Sequence, residues 1–568
     1  MLDLLIRSGT VIDGTGAPRA TADVGIRDGR IAAVGQIDEP ARRELDADGL
    51  LVTPGWVDVH THYDGQVTWD GMLTPSCWHG VTTVVMGNCG VGFAPVRPGA
   101  RDYLIKLMEG VEDIPGTALA EGIDWRWESF PEYLDAIETR PHSIDIGAQM
   151  PHGALRFYVM GERGADHEED PTPAEIDEMG RLVCEAVSAG ALGFTTSRTR
   201  NHRSSDGRFT PSLTASADEL LGIARAMGEA GRGVFEVVTD HLLKEREWEL
   251  LREMVRVSGG RPLSVSLAQN DAHPEGYREQ LRQLEVSNAQ GLPLKGQVAA
   301  RAIGLLLGLE ATLNPFSSHP SYARIAALPL AERVARMRDP ELRRAILSER
   351  PSEGLAAMVS FDRLFVLGDP PDYEPAADRS VGAEARRRGV TPEELGYDLL
   401  LGDEGRALLY RPFLNYAASD LEAIREMLSH AHTVPGLGDA GAHCGMICDG
   451  SFPTYLLSHW ARDRTRGAKL DLEALVKSQS HDTARLVGLA DRGTIAPGMK
   501  ADVNLVDFAS VGMSAPEIVH DLPAGGKRLL QRASGYVATV QTGQVTFEGG
   551  ESTGALPGRL VRGPQSPA

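Results

Sequence analysis

Thr53-Pro-Gly-Trp-Val-Asp-Val-His-Thr-His-Tyr-Asp64 is the stretch on which the reading of the whole chain turns. Pro54-Gly55 punctuates its entry, and Val57 and Val59 supply the β-branched residues of a buried strand. Side chains two apart on a strand point the same way, so His60 and His62 face one side at the strand's end. Two neutral imidazoles placed like that can hold one metal ion. Asp58 and Asp64 flank the pair and could orient the rings as acceptors. A bare His-x-His also occurs in ordinary surface loops, so its surroundings decide its meaning.

Outward from this stretch, residues 53–490 alternate apolar strand-like runs with helical patterns. Candidate strands after the first lie at 82–87, 144–149, 191–196, 234–239, 263–267 and 433–437, with the seventh read within 292–301. Helical periodicity runs over 174–188 and 217–229. The alternation predicts an α/β fold, a parallel sheet closed as a (β/α)8 TIM-like barrel. Two intervening stretches are too long for plain loops. One, 96–142, carries Trp125, Trp127, Phe130 and Tyr133; the other, 316–412, is polar and helical and is expected to cap the barrel mouth. The first fifty residues read as short strands around Asp13-Gly14 and Asp28-Gly29, and 536–547 reads as a hairpin around Thr542-Gly543.

The chain has 568 residues, enough for one large domain and a smaller one. A formal net charge of −22 argues against nucleic acid or an anionic membrane as a partner. It leaves a small-molecule substrate open, and a homo-oligomer is compatible with it. Five scattered cysteines do not make a disulfide framework and fit a reducing cytoplasm. The opening residues lack the pattern of a signal peptide, and no apolar run is long enough to span a bilayer.

Barrel enzymes gather their chemistry at the C-terminal ends of the strands. Gly87-Asn-Cys-Gly90 follows the second candidate strand. A buried cysteine is often an inert core residue, whereas Cys89 as a thiolate suits zinc. Gly436-Leu-Gly-Asp-Ala-Gly-Ala-His-Cys-Gly445 ends the eighth and surrounds Asp439 with small residues, so its carboxylate can approach a metal or its water closely. A turn aspartate is the bland alternative. His443 either lines the pocket or is a plain loop histidine. His152-Gly-Ala-Leu-Arg156 follows the third strand; His152 is a candidate for contact with substrate, and Arg156 could equally be structural.

Taken together, the runs at 54–62, 87–90 and 152–156 resemble the amidohydrolase superfamily and, within it, the N-acyl-D-amino-acid deacylase (D-aminoacylase-like) family. The segments 108–115, 127–135 and 191–196 look like the first insertion and fourth strand of the same proteins. The resemblance implies that His60, His62 and Cys89 bind metal and that Asp439 is both a ligand and the general base. It implies that residues 1–52 and roughly 491–550 join in one small β-sandwich beside a barrel over 53–490. The Gly/Pro-rich composition after Gly554 separately predicts that 551–568 is a loosely ordered tail. The family also places a histidine at the fifth and sixth strand ends, and here the sequence departs from it. The fifth strand carries Val238 at that position, and the sixth, Leu263 onward to Asn270, has none. Glu236, Asp240 and His241 are the candidate replacements, since carboxylate and imidazole both bind zinc. Glu236 stands out because a glutamate buried on a strand is rarely unpaired.

The expected function is metal-dependent hydrolysis of a C–N bond, that of an N-acyl-(D-)amino acid, using one or two divalent ions, zinc by ligand type. Arg198, Arg200 and Arg301 are candidates to receive the substrate carboxylate, each otherwise a partner in a salt bridge. The altered fifth and sixth strands keep two alternatives open. One is a cyclic amide, lactam or ester substrate on the same fold; the other is a catalytically silent barrel that binds or assembles.

Overall fold

The structure, a computed structural model, describes residues 1–567. Its centre is a ring of eight parallel strands in sequence order: β1 (Trp56–Asp58), β2 (Val81–Met86), β3 (Asp145–Pro151), β4 (Gly193–Arg198), β5 (Val234–Thr239), β6 (Leu263–Leu267), β7 (Leu294–Val298) and β8 (Thr433–Pro435). They coincide with the eight strands read from sequence. Every residue of β2, β3 and β5 is buried, as expected of strands covered on both faces. The ring closes just past the strand ends. His62 N–H donates to the Ala440 carbonyl at 2.8 Å, Asp439 N–H donates to the His60 carbonyl at 3.1 Å, and Thr61 and Ala440 form a parallel bridge. The barrel is therefore closed by the same residues that carry the two histidines and the aspartate.

Helices Pro173–Ala189, Ala217–Ala230, Glu245–Val257 and Gly276–Ala289 link successive strands from β3 to β7. The first opens on a capping box of Thr172 and Glu175 with Pro173 in its first turn, so its start is written in Thr-Pro-Ala-Glu. Its inner side, Met179, Val183, Ala186 and Val187, is fully buried.

Both chain ends contribute to one nine-stranded sheet. Val503–Val506 runs antiparallel to Leu51–Pro54, the strand that leads into β1, and Tyr536–Gln541 continues the sheet beyond it. Leu4, Ile6, Val24, Val503, Leu505 and Val540 fill its core. Trp56 Nε1 of β1 donates to the Tyr536 hydroxyl at 3.1 Å, joining sheet to barrel.

The first insertion contains helix α1 (Arg101–Glu112) and two shorter helices. Trp127 Nε1 donates to the Phe93 carbonyl and Tyr133 Oη to the Asp64 carbonyl, both at 2.8 Å, so its aromatic residues anchor it to the loops after β1 and β2. The second insertion differs from the helical lid expected at 316–412. It begins earlier, and around its helices it builds a three-stranded antiparallel sheet of Ile303–Leu307, Phe365–Val366 and Leu409–Leu414. Its edge meets the loop after β8, with Leu306 N–H on the Met446 carbonyl and Thr312 N–H on the Gly445 carbonyl.

The segment after Gly554 is not loosely ordered. Gly558 N–H donates to the His142 carbonyl and Val561 N–H to the Ile146 carbonyl, beside the start of β3. Leu560 and Val561 are buried, and Arg562 pairs with Asp135 and Glu138. Backbone pairing and two apolar side chains outweigh the Gly/Pro composition that suggested a free tail. Among the described residues, no helix is long and apolar enough to cross a membrane.

Candidate metal centre

His60 and His62 leave β1 on its inner side, fully buried. Asp58 Oδ1 accepts from the His60 backbone N–H at 3.1 Å and shapes the turn out of the strand. His60 Nδ1 lies 2.9 Å from Gln297 Oε1 of β7, and Gln297 Nε2 donates to Ser264 Oγ of β6 at 2.9 Å. With its amide nitrogen engaged there, Gln297 offers His60 an acceptor. Nδ1 then carries the proton, and Nε2 turns its lone pair inward. That Nε2 is 3.4 Å from Cys89 Sγ and 3.2 Å from Asp439 Oδ1; His62 Nε2 is 3.6 Å from the same oxygen. His60, His62 and Cys89 each place a donor atom within 4.8 Å of the others. Donors on a tetrahedral zinc ion, with bonds of about 2.0–2.3 Å, sit roughly 3.3–3.7 Å apart, the scale of the 3.4 Å His60–Cys89, 3.2 Å His60–Asp439 and 3.6 Å His62–Asp439 separations.

The local backbone is built for this meeting. Cys89, Asp439 and His443 are non-glycine residues at positive φ, 55°, 45° and 52°. Such conformations persist only where the surroundings impose them. Gly87, at φ 86°, must be glycine, since a Cβ there would lie 2.1 Å from the Gln149 carbonyl oxygen. Asn88 donates to the Thr61 and Val85 carbonyls and accepts from Gln149, which holds the Cys89 turn against β1 and β3.

Buried polar atoms normally find partners. Here both ring nitrogens of His62, Glu112 Oε1, Glu236 Oε1 and Asp439 Oδ1 have none in hydrogen-bonding geometry. Glu112, the last residue of α1, was not singled out from sequence, although it lies in the 108–115 run. Its Oε2 is 3.5 Å from His62 Nε2 and 3.7 Å from His443 Nε2. Burial disfavours charge on His62, but Glu112 and Asp439 outweigh it and raise its pKa to about 9. Burial likewise opposes charge on Asp439, yet the imidazoles of His443, His62 and His60 around it hold the carboxyl well below its ordinary range. Burial pushes Glu236 up to about 8 and the Cys89 thiol upward. Three carboxyl groups, a thiol and two imidazoles are thus buried together with donor atoms unpartnered, a set whose lone pairs a bound cation would engage. Only the Asp439 and His443 side chains, 19% and 17% exposed, open the centre to solvent.

Of the residues read as candidate ligands, the structure brings His60, His62, Cys89, Asp439 and Glu236 together, with His443 beside them. Glu236 Oε1 lies 4.0 Å from His60 Nδ1, and its Oε2 accepts from Cys89 N–H at 3.2 Å. Asp240 and His241 are not at the centre. Asp240 Oδ1 accepts from Thr199 Oγ1 and Arg200 N–H, tying two loops. His241 sits at φ 60°, where the chain has left the strand and strand alternation no longer aims the side chain; its Nδ1 faces the Ser266 carbonyl.

His152 is likewise a core residue. Its two nitrogens meet Thr196 Oγ1 and Glu219 Oε1 at 2.9 Å, and Arg156 pairs with the same glutamate at 2.6 Å. Arg301 is 1% exposed, bound to the Cys448 carbonyl, Asp449 and Ser451, so it cannot receive a substrate. Arg198 pairs with Glu247 at 3.0 Å. Arg200 makes no side-chain ion pair among the described residues, and it lines a cavity of about 1210 Å³ over the ends of β4 and β5. None of the metal-centre residues lines that cavity. A residue missed from sequence, His202, follows in the same loop. Its Nδ1 lies 3.0 Å from Ser197 Oγ at the end of β4, and burial, then the charge of His443 and His62, lowers its pKa to about 3.

Residues 43–547 match the amidohydrolase family. D-aminoacylase of Alcaligenes xylosoxydans xylosoxydans is 27% identical over 572 residues, covering 98% of this chain and 97% of its own. A solved D-aminoacylase, described for a binuclear metal centre with activation by one metal and attenuation by the second, matches with TM-score 0.65 at 24% identity, covering 99% of this chain and 100% of its own. N-acyl-D-glutamate deacylase from Bordetella bronchiseptica, solved with zinc and a phosphonate inhibitor, matches with TM-score 0.64 at 24% identity, covering 99% of each chain. These two structures share their fold with this chain.

Proposed function

The chain belongs to the amidohydrolase family, and on that footing we propose that it hydrolyses the amide bond of an N-acyl-D-amino acid with a divalent cation, zinc, held by His60, His62, Cys89 and Asp439. The observation that carries this reading is the convergence of these four side chains, with buried donor atoms left unpartnered. The near full-length likeness to a D-aminoacylase supports the substrate class. Imidazoles with a thiolate support zinc, the ion described in the deacylase structure.

Bound there, the cation supplies positive charge that makes a water acidic and polarises a carbonyl. The chain's own groups do the rest. Asp439 is ionised and reaches the solvent-exposed side of the centre, so it accepts the proton of the attacking water and returns it to the leaving amine. Gln297 fixes the tautomer of His60, and Asn88 holds Cys89 in place. Arg200, which lines the cavity over the ends of β4 and β5, is the arginine we assign to the substrate carboxylate.

The test is a panel of N-acyl-D- and N-acyl-L-amino acids, read by release of free amine from metal-loaded protein. Turnover with preference for D substrates is expected. A second reading, a cyclic amide, lactam or ester on the same centre, is favoured by Val238 on the fifth strand and by the lack of histidine in the sixth, from Leu263 to Asn270, where the family resemblance calls for imidazole. Hydrolysis of those substrates with none of the N-acyl panel would replace the first reading, and no turnover on any would favour a binding barrel.

A further inference from the structure

We propose that Glu112 and His443, with the outer oxygen of Asp439, form a cation-binding half-site supplied by the first insertion, separate from the position held by His60 and Cys89. The inference rests on the metal-centre reading above. Asp439 has two faces. Its Oδ1 turns to His60 and His62, at 3.2 and 3.6 Å, while Oδ2 turns to His443 Nε2 at 3.7 Å. Glu112 Oε2 stands 3.7 Å from the same nitrogen. Such separations are too long for a hydrogen bond and short of the roughly 4.5–5.5 Å that a bridging water requires. They are close to the spacing of donors on one small cation.

The backbone holds these groups in place. The His443 N–H donates to the Glu112 carbonyl, and the Gly445 N–H donates to Asp113 Oδ2 at 2.9 Å. Two consecutive residues at the end of α1 are thereby stapled to the loop after β8. Asp113 and His443 both take left-handed backbone to allow it, at φ 50° and 52°.

Glu112 is also in need of positive charge. It is 1% exposed, Oε1 has no partner, and it sits at the negative end of α1. His62 is its nearest cationic neighbour. Once the lone pair of His62 faces the first ion, that compensation is gone, and His443 Nδ1 is itself unpartnered. Two carboxylates and one imidazole make a harder donor set than the thiolate side, suited to zinc, cobalt or manganese.

The experiment is equilibrium dialysis of full-length protein against zinc alone and against cobalt(II) alone, with metal counted by elemental analysis. Wild type is expected to bind two equivalents, Glu112→Gln and His443→Asn one. The cobalt–thiolate absorption band should persist in both variants and vanish in Cys89→Ala. Glu112→Asp, which keeps the charge, should fold and bind the second equivalent more than about tenfold more weakly. Two equivalents of unchanged affinity in Glu112→Gln, or one equivalent in wild type that neither substitution alters, would overturn the half-site. Failure of the parent reading looks different: wild type then shows no thiolate band, whatever Glu112 does.

Discussion

Asp439 is the residue on which mechanism and scaffold part company. Asparagine keeps its shape and an oxygen for metal, but cannot take a proton from water. Asp439→Asn should therefore fold, retain much of its metal, and lose kcat by on the order of 10² or more, measured on whichever substrate the panel identifies. A variant that turns over at the wild-type rate would move the base elsewhere, with Glu236 next in reach. The residues legible in sequence are those whose direction follows from strand alternation or from a strand end: His60, His62, Cys89 and Asp439. Asp240 and His241 were misread because the chain turns left-handed at His241, so the period of two stops there. Glu112 was illegible for another reason. Nothing in its local sequence says that α1 ends against the loop after β8.

At the scale of elements, one carboxylate of the second insertion gathers several ties to the barrel side. Glu374 receives His459 Nε2 at 2.9 Å, Arg464 Nη2 at 3.0 Å and the Leu421 N–H at 3.0 Å. Burial raises its pKa, but His459 and Arg464 prevail and lower it to about 2. In the unfolded chain a glutamate titrates near 4.3. The folded value is the lower one, so the stabilisation is complete above about pH 4.3 and is lost as pH falls toward 2. Glu374→Gln should lose about 3 kcal/mol at pH 7, because Arg464 stays buried with less compensation. Denaturant titration at pH 7 and pH 3 checks this, and the gap between variant and wild type should narrow at the acid end. The helices of this insertion were legible from their periodicity. Its sheet was not, because three short strands far apart in sequence carry no shared local signal.

At the scale of the molecule, the ring of strands was legible because eight apolar runs alternate with amphipathic ones. The docking of the last residues was not, because composition alone gave no hint of the pairing at Gly558 and Val561. Truncation after Gly554 should cost about 3 kcal/mol or more, from exposing Leu560 and Val561, and lower Tm in a thermal melt. An unchanged Tm would show that this segment contributes nothing. The candidate metal centre acts at the same scale. It ties the loops after β1, β2 and β8 at the seam where the barrel closes, so a bound ion should stabilise the whole fold. The most direct test of the account is elemental analysis of purified wild type and the His60→Ala, His62→Ala double variant, each melted with and without chelator. On this account wild type should hold at least one equivalent of divalent metal and lose Tm on chelation, and the folded double variant should hold one equivalent fewer than wild type and respond less to chelator. Full metal content in the double variant would contradict it.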